Sequence, residues 1–366
     1  MMSTHLNQAD SRQLIFCLLL AWTWTSASLP ATEPQGKLIP QEKFPARVHV
    51  VEDYETDIER RWWMAGTPET KDVPKGGGLR ACRAGLTHDF DRKLGDQSKQ
   101  YKAVIFNPVP GPPMGMNSRL SFRYKLIGTG ELRVQIYSLS KNYHRRLTLT
   151  DLPQGAWSHT TVDMTQLRRP DGGGGPLAAD ERIDDIQFYI DPAADLLIDD
   201  IVLYDAATDD EKRPFPKRIV FTGWFDTGKQ GQEWPGEFEI VAHEKPRTWK
   251  YARSVKRPDG SGVLAVSLRG ARRLSPSVSL DFHYRLEGTE TFEIELLIGG
   301  KPIDYRRRIL EPGGGPKWGP AYCQYWFLKD SSDRFDEIRF TVPPGGTISI
   351  DDLLLFEPLY DELPGR

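Results

Sequence analysis

Cysteine is scarce in this chain: three in 366 residues, at Cys17, Cys82 and Cys323. Cys17 lies in an N-terminal apolar stretch, so each half of the remainder holds one thiol. Two cysteines make no disulfide framework, and both are expected to be buried and free. Neither sign of charge dominates. Forty-eight Lys and Arg against 51 Asp and Glu leave a formal net charge of -3, which excludes a molecule-wide attraction to nucleic acid. Apolar runs of membrane length are missing after Trp22, so no later segment is expected to span a membrane as a helix. Amphipathic helical patterning is scarce. No His-x-x-x-His, Cys-x-x-Cys, Gly-x-Ser-x-Gly or Walker pattern is present, and no organic cofactor is expected.

The N-terminus has the order of an export signal. Arg12 precedes Leu14-Ile-Phe-Cys-Leu-Leu-Leu-Ala-Trp22, and the small residues Thr25-Ser-Ala-Ser28 follow. A cleaved signal peptide over 1–28 and a spacer over 29–44 are expected, which implies a secreted, periplasmic or cell-envelope protein.

The chain contains itself twice. Leu120-Ser-Phe-Arg-Tyr-Lys-Leu126 returns as Leu280-Asp-Phe-His-Tyr-Arg-Leu286, and Arg182-Ile-Asp-Asp-Ile-Gln-Phe188 as Arg334-Phe-Asp-Glu-Ile-Arg-Phe340. Each copy closes on an Ile-Asp-Asp strand, at Ile198-Asp-Asp200 and Ile350-Asp-Asp352. Two domains of one fold follow: 45–206 and 217–358, with a polar linker over 207–216 and a tail over 359–366. Period-two alternation places Leu120, Phe122, Tyr124 and Leu126 on one side and Arg119, Ser121, Arg123 and Lys125 on the other. Gly128-Thr-Gly130 and Gly288-Thr-Glu290 read as hairpin turns to the next strands. Further strands are expected at Val48–Val51, Tyr101–Phe106, Tyr143–Leu149, Trp157–Val162, Asp185–Ile190 and Leu197–Tyr204. The fold class is all-β: two tandem antiparallel β-sandwiches.

Val51-Glu-Asp53, Gly155-Ala-Trp157 and the final Ile-Asp-Asp strand together resemble the jelly-roll carbohydrate-binding modules of secreted bacterial enzymes, within the galactose-binding-like group. That resemblance implies jelly-roll domains and a structural calcium in the first of them. On it, Glu52 matches the first-strand ligand and Asp199 or Asp200 the last-strand ligand. Asp351 and Asp352 match in the second copy, where no first-strand glutamate exists. Calcium takes six to eight hard oxygens. The alternative is that these aspartates end a strand and pair with arginines.

Tyr143-His-Arg-Arg-Leu147 is expected to correspond to Tyr305-Arg-Arg-Arg-Ile309 across a two-residue insertion. Rings with guanidinium groups suit sugars, because ring faces pack on C–H surfaces and Arg forks hold carboxylate or sulfate oxygens. Candidate ligand-binding residues are Tyr143, His144, Arg145, Arg133, Trp62, Trp63, Tyr305 and Arg307. Glu293 and Glu295 are expected to pair across strands with Arg306 and Arg308. Trp157 is expected in the core, while Trp224, Trp234 and Trp249 lie in loops where platforms sit. The leading reading is a non-catalytic protein that binds carbohydrate, with an acidic polysaccharide favoured by the basic face. A polysaccharide lyase or glycosidase on the same scaffold is the enzymatic alternative. A structural or adhesive protein that binds other envelope proteins is the third.

Overall fold

The structure, a computed structural model, describes residues 44–359 except 57–62, 109, 208–214, 245–248, 274–277, 311–316 and 326–333, with backbone alone for 63–64 and 304–310. The expected signal peptide, all of the spacer but Phe44, and most of the linker and tail lie outside the described residues. Among the described residues, strands are the regular elements apart from the short 3-10 turn Met164–Gln166. No helix among them is long and apolar enough to cross a membrane.

Four antiparallel sheets form two sandwiches. Sheet A of the first runs, in spatial order, Ser158–Asp163, Ser118–Ile127, Asp195–Asp205, Ala81–Arg83 and Thr67–Glu69, with Arg47–Glu52 also on Asp195–Asp205. Its sheet B runs Tyr143–Leu149, Leu132–Ser138, Glu181–Ile190, Gln100–Phe106 and Trp63–Ala65. The second sandwich repeats this. Its sheet A runs Glu239–Ala242, Lys250–Arg253, Thr347–Glu357, Ser279–Glu287 and Gly319–Gln324, with Arg218–Gly223 on Thr347–Glu357. Its sheet B runs Gly236–Glu237, Gly262–Arg273, Arg334–Val342, Thr291–Ile298 and Lys301–Leu310. The chain is a tandem of jelly-roll sandwiches.

Alternation builds both cores. Leu120, Phe122, Tyr124 and Leu126 point inward against Val134, Ile136 and Phe188 of the facing sheet. Leu280, Phe282, Tyr284 and Leu286 do the same against Phe292 and Phe340. Each such side chain contributes about 1.5–3 kcal/mol on leaving water. Cys82 and Cys323 are both buried, as expected, and Cys82 is a free thiol.

The hairpin reading of Gly128-Thr-Gly130 is corrected. Ser118–Ile127 lies in sheet A and Leu132–Ser138 in sheet B, so this turn carries the chain between sheets. Gly288-Thr-Glu290 does the same in the second copy. Two strands that face each other across a core alternate in the same way as two that pair, so the pattern could not separate the cases. Tryptophan placement is corrected as well. Trp224 and Trp234 are buried in the second core. Trp157 is only half-buried, and its indole Nε1 donates to Asp72 Oδ1 at 3.0 Å.

Candidate functional site

Because the chain changes sheets after Ile127, the basic residues of the first copy divide between two outer faces. Arg119, Arg123 and Lys125 stand outside sheet A, and each meets a carboxylate: Asp163 at 3.1 Å, Asp200 at 3.3 Å and Asp72 at 2.7 Å. Arg133, Gln135 and Tyr137 stand outside sheet B, beside Tyr189, Gln187, His144 and Arg146 on the neighbouring strands.

Arg133 is the centre of that second face. Its guanidinium carbon lies 4.3 Å from the Tyr189 ring centre and 4.7 Å from that of Tyr101, and its Nη2 is 2.9 Å from Asp89 Oδ2. Cation–π contact in a desolvated setting stabilises such a stack by up to about 2 kcal/mol. The segment after Gly85–His88 folds over it. Asp89 Oδ1 accepts from Asp91 N and from Gln135 Nε2, and Phe90 N donates to Tyr189 Oη at 3.1 Å. Phe90 and Tyr101 pack on a small core of Ala103, Ile105 and Tyr189. Arg133 therefore anchors a covering segment.

Beyond that cover the face opens at its edge. Tyr137 and Arg146 are half-buried, while Lys93, Lys141 and Asn142 are exposed. Tyr137 Oη donates to Asn142 Oδ1, and Lys93 Nζ lies 3.5 Å from the Asn142 carbonyl. The His144 ring packs at 5.0 Å on Tyr137 and lies 3.7 Å from Asp91 Oδ1. Burial lowers the His144 pKa, against the raising effects of Asp91 and Asp89. Arg146 shares the face of Tyr137 on the neighbouring strand, and the half-buried Asp184 stands opposite Tyr137 on the other side.

Tyr143 and Arg145 face the other way, as alternation requires. Arg145 is fully buried: its Nε lies 2.9 Å from Glu181 Oε1, and its Nη1 donates to the Gly175 carbonyl at 2.7 Å. Tyr143 Oη accepts from Arg145 Nη2 at 3.0 Å. This arginine pins the glycine-rich 172–175 loop to the sheet edge. At Gly174 a side-chain carbon would sit 2.4 Å from Tyr143 Oη, so only glycine fits there.

Of the other candidates, Trp62 lies outside the described residues, and only the backbone of Trp63 is described, opposite Phe106. Tyr305 and Arg307 are likewise described by register alone. Glu295 stands opposite Arg306 and Glu293 opposite Arg308, as expected. Gln135 stands opposite Arg146. Arg306 therefore matches Arg146, and Tyr305 falls within the register shift between Pro302 and Arg306. Register also shows what the second copy puts on its sheet B. Glu293 takes the place of Arg133, Thr341 that of Tyr189 and Ser261 that of Tyr101. The Arg133 stack is not repeated at these positions; the second sandwich has a guanidinium–ring contact elsewhere, with the Arg285 guanidinium carbon 5.4 Å from the Tyr251 ring centre and 5.6 Å from that of Trp318.

Tyr101, Tyr189, Asp89 and Tyr137 were not among the sequence candidates. The available signal was the alternation itself: in Gln187-Phe-Tyr-Ile190 and Leu132-Arg-Val-Gln-Ile-Tyr137, polar and aromatic residues interleave with the core positions.

The Asp-Asp pairs are β-bulges. In each, the second aspartate has a left-handed backbone, φ 48° at Asp200 and 50° at Asp352, and register shifts there. Asp tolerates that conformation better than most residues. The first aspartate accepts from the next N–H, Asp199 from Asp200 at 2.7 Å and Asp351 from Asp352 at 2.8 Å. Beyond this the copies differ. Asp352 meets Arg47 Nε at 2.7 Å through one oxygen and His283 Nδ1 at 3.5 Å through the other. Asp199 is fully buried, and its Oδ2 has no hydrogen-bond partner. Burial, then Asp200 and Asp53, push the Asp199 pKa up to about 10. Glu52 Oε1 accepts from Tyr54 N at 2.8 Å. No three His, Cys, Asp or Glu side chains converge on one metal position among the described residues. A free carboxylate oxygen fits a hard cation at Asp199, whereas at Asp352 a guanidinium already supplies the positive charge.

Carbohydrate-binding modules are among the solved structures it is similar to, and so is an arabinose-bound α-L-arabinofuranosidase, 13% identical over 37% of this chain and 24% of that one, at a TM-score of 0.30. The N-terminal CBM22-1-CBM22-2 tandem of Paenibacillus barcinonensis Xyn10C is 12% identical, over 86% of this chain and 98% of that one, at a TM-score of 0.30. A family 11 module from Clostridium thermocellum, in complex with a β-1,3-1,4-mixed-linked tetrasaccharide, is 20% identical over 45% of this chain and 99% of that one, at 0.32. No family model and no curated protein matches the sequence. The assignment of fold rests on strand order and core, not on these scores.

Proposed function

We propose that this chain is an exported, non-catalytic protein that binds an acidic polysaccharide at the open edge of sheet B in the first sandwich. The carrying observation is the half-buried Tyr137 ring, packed on His144 and bonded to Asn142, with Lys93 at 3.5 Å from the Asn142 carbonyl and Arg146 on the same face of the paired strand. A sugar ring packs its C–H face on the phenol, and uronate or sulfate oxygens meet the ammonium and guanidinium groups. Long basic side chains alone would bind anions loosely; the ring, backed by His144, fixes where the chain lies. Asp89 and Asp91 are buried beneath the covering segment.

We also propose calcium at Asp199, with Glu52 nearby as the resemblance implies. The ion would neutralise a carboxylate cluster and stabilise the fold, away from the sugar.

The test is titration of uronate-bearing and sulfated oligosaccharides by calorimetry, against neutral ones of equal length. Binding is expected for the acidic set, with loss on Tyr137→Ala combined with Arg146→Ala. Equal binding of the neutral set, or an unaffected variant, refutes the reading.

A further inference from the structure

The first strands of the two sandwiches, Arg47–Glu52 and Arg218–Gly223, meet across an interface whose sides match residue for residue. Arg47 stands opposite Asp205 on the last strand of its own sandwich, and Arg218 opposite Glu357 on that of the other. The same registers make Val48 the counterpart of Ile219, Val202 of Leu354 and Tyr204 of Phe356. All six side chains, with Phe44, form one buried apolar cluster. When both partners contribute equivalent residues, the contact has an approximate twofold axis, as in a C2 dimer.

Polar contacts repeat the exchange. Arg47 is buried, pairs with Asp226, meets Asp352 Oδ1 at 2.7 Å and lies 4.4 Å from the Trp249 ring centre. From the other side, Arg218 Nη2 reaches Asp53 Oδ2 at 3.0 Å. Each sandwich thus sends its first-strand arginine into carboxylates of the other. Arg272 adds a third contact, donating to Asp53 Oδ1 at 2.9 Å. Two backbone carbonyls of the first sandwich are also taken by side chains of the second: Val48 O by Thr222 Oγ1 at 2.5 Å and His49 O by Trp224 Nε1 at 2.7 Å.

We infer that this is a recognition surface in its own right. Its partner is a sandwich of the same construction, and the connection over 208–214 is not needed to hold it. Apolar seal and exchanged ion pairs together have the make-up of a permanent interface rather than of a tethered contact. The polar details select unlike halves. Trp224 holds the register position of Asp53, so pairing two second sandwiches would take the shared carboxylate from Arg218 and Arg272. Pairing two first sandwiches would take Arg272 from Asp53. Loss of a buried ion-pair partner discriminates against the wrong pairing.

The experiment replaces residues 208–214 of the full chain with a site-specific protease sequence and cuts the folded protein. The halves are expected to co-elute in gel filtration at micromolar concentration, as one first and one second sandwich by native mass spectrometry. Arg47→Ala with Arg218→Ala is expected to weaken the cut complex about 100-fold, its fold before cutting checked by circular dichroism. Wild-type halves that elute apart, or that re-pair like with like, overturn the inference. If the double variant does not fold, the wild-type result decides alone.

Discussion

Arg145 Nε lies 2.9 Å from Glu181 Oε1, and neither side chain reaches solvent. A buried pair of this kind is costly to break, because removing one member leaves the other charged and unpaired. Arg145→Ala is expected to lose about 3–5 kcal/mol in urea unfolding. Arg146→Ala, next to it but on the open face, is expected to change stability by under about 0.5 kcal/mol. Equal losses would mean that the two arginines are not divided as described.

At the open edge the expected split is the reverse. Tyr137→Ala should weaken acidic-glycan binding by about 3- to 10-fold, the range of an aromatic contact worth 0.5–1.5 kcal/mol. Calorimetry would measure it. Since the buried Leu297 holds the position of Tyr137 in the second copy, titration should saturate at one glycan per chain. Two equivalent sites would contradict this.

The Asp199 pKa near 10 fixes the sign of a further effect. An unfolded aspartate ionises near 4, whereas the folded one keeps its proton. The folded state therefore binds more protons between those values, and this group's contribution to stability falls as pH rises from about 4 towards 10. Asp199→Asn should raise the melting temperature at pH 7 without calcium. In the unsubstituted protein calcium should raise it instead, with proton release, and the Asn variant should not respond. A calcium response that survives in the variant would place the ion elsewhere.

Asp185 gives a narrower window. Burial, then Asp184, raise its pKa to about 6, from a model-peptide value of 3.8. Its stabilising contribution is therefore greatest below pH 4 and falls between pH 4 and 6. Asp185→Asn, at a residue with φ 31°, should remove that slope and add about 1 kcal/mol at pH 7, after allowance for its partial solvent contact. Melting curves at pH 4, 5, 6 and 7 would show whether the two proteins converge at the acid end.

Much of the fold was legible because it depends on local alternation. Tyr143–Leu149 was expected with the bounds observed, and Arg47–Glu52 and Gln100–Phe106 within a residue or two at each end. The candidate site was less so. Arg145 and Arg146 are the same residue type side by side, and only the position of the core says which one faces outward; Tyr143 and Tyr137 are both half-buried. Arg133 looked like an open cation, yet a segment more than thirty residues earlier covers it, a long-range contact that no periodicity reports.

The sequence alone determined two sandwiches of one architecture, because duplicated strands with alternating apolar residues must bury the same face twice. It did not determine where the aspartate pairs sit, which is inside the last strands as bulges rather than at a strand end. Tertiary structure alone decided which sheet each strand joined, since pairing and facing strands share one pattern. It also decided which charges were spent on one another. An arginine's role depends on whether a carboxylate from a distant segment lies within about 3 Å, and that distance is a property of packing in three dimensions.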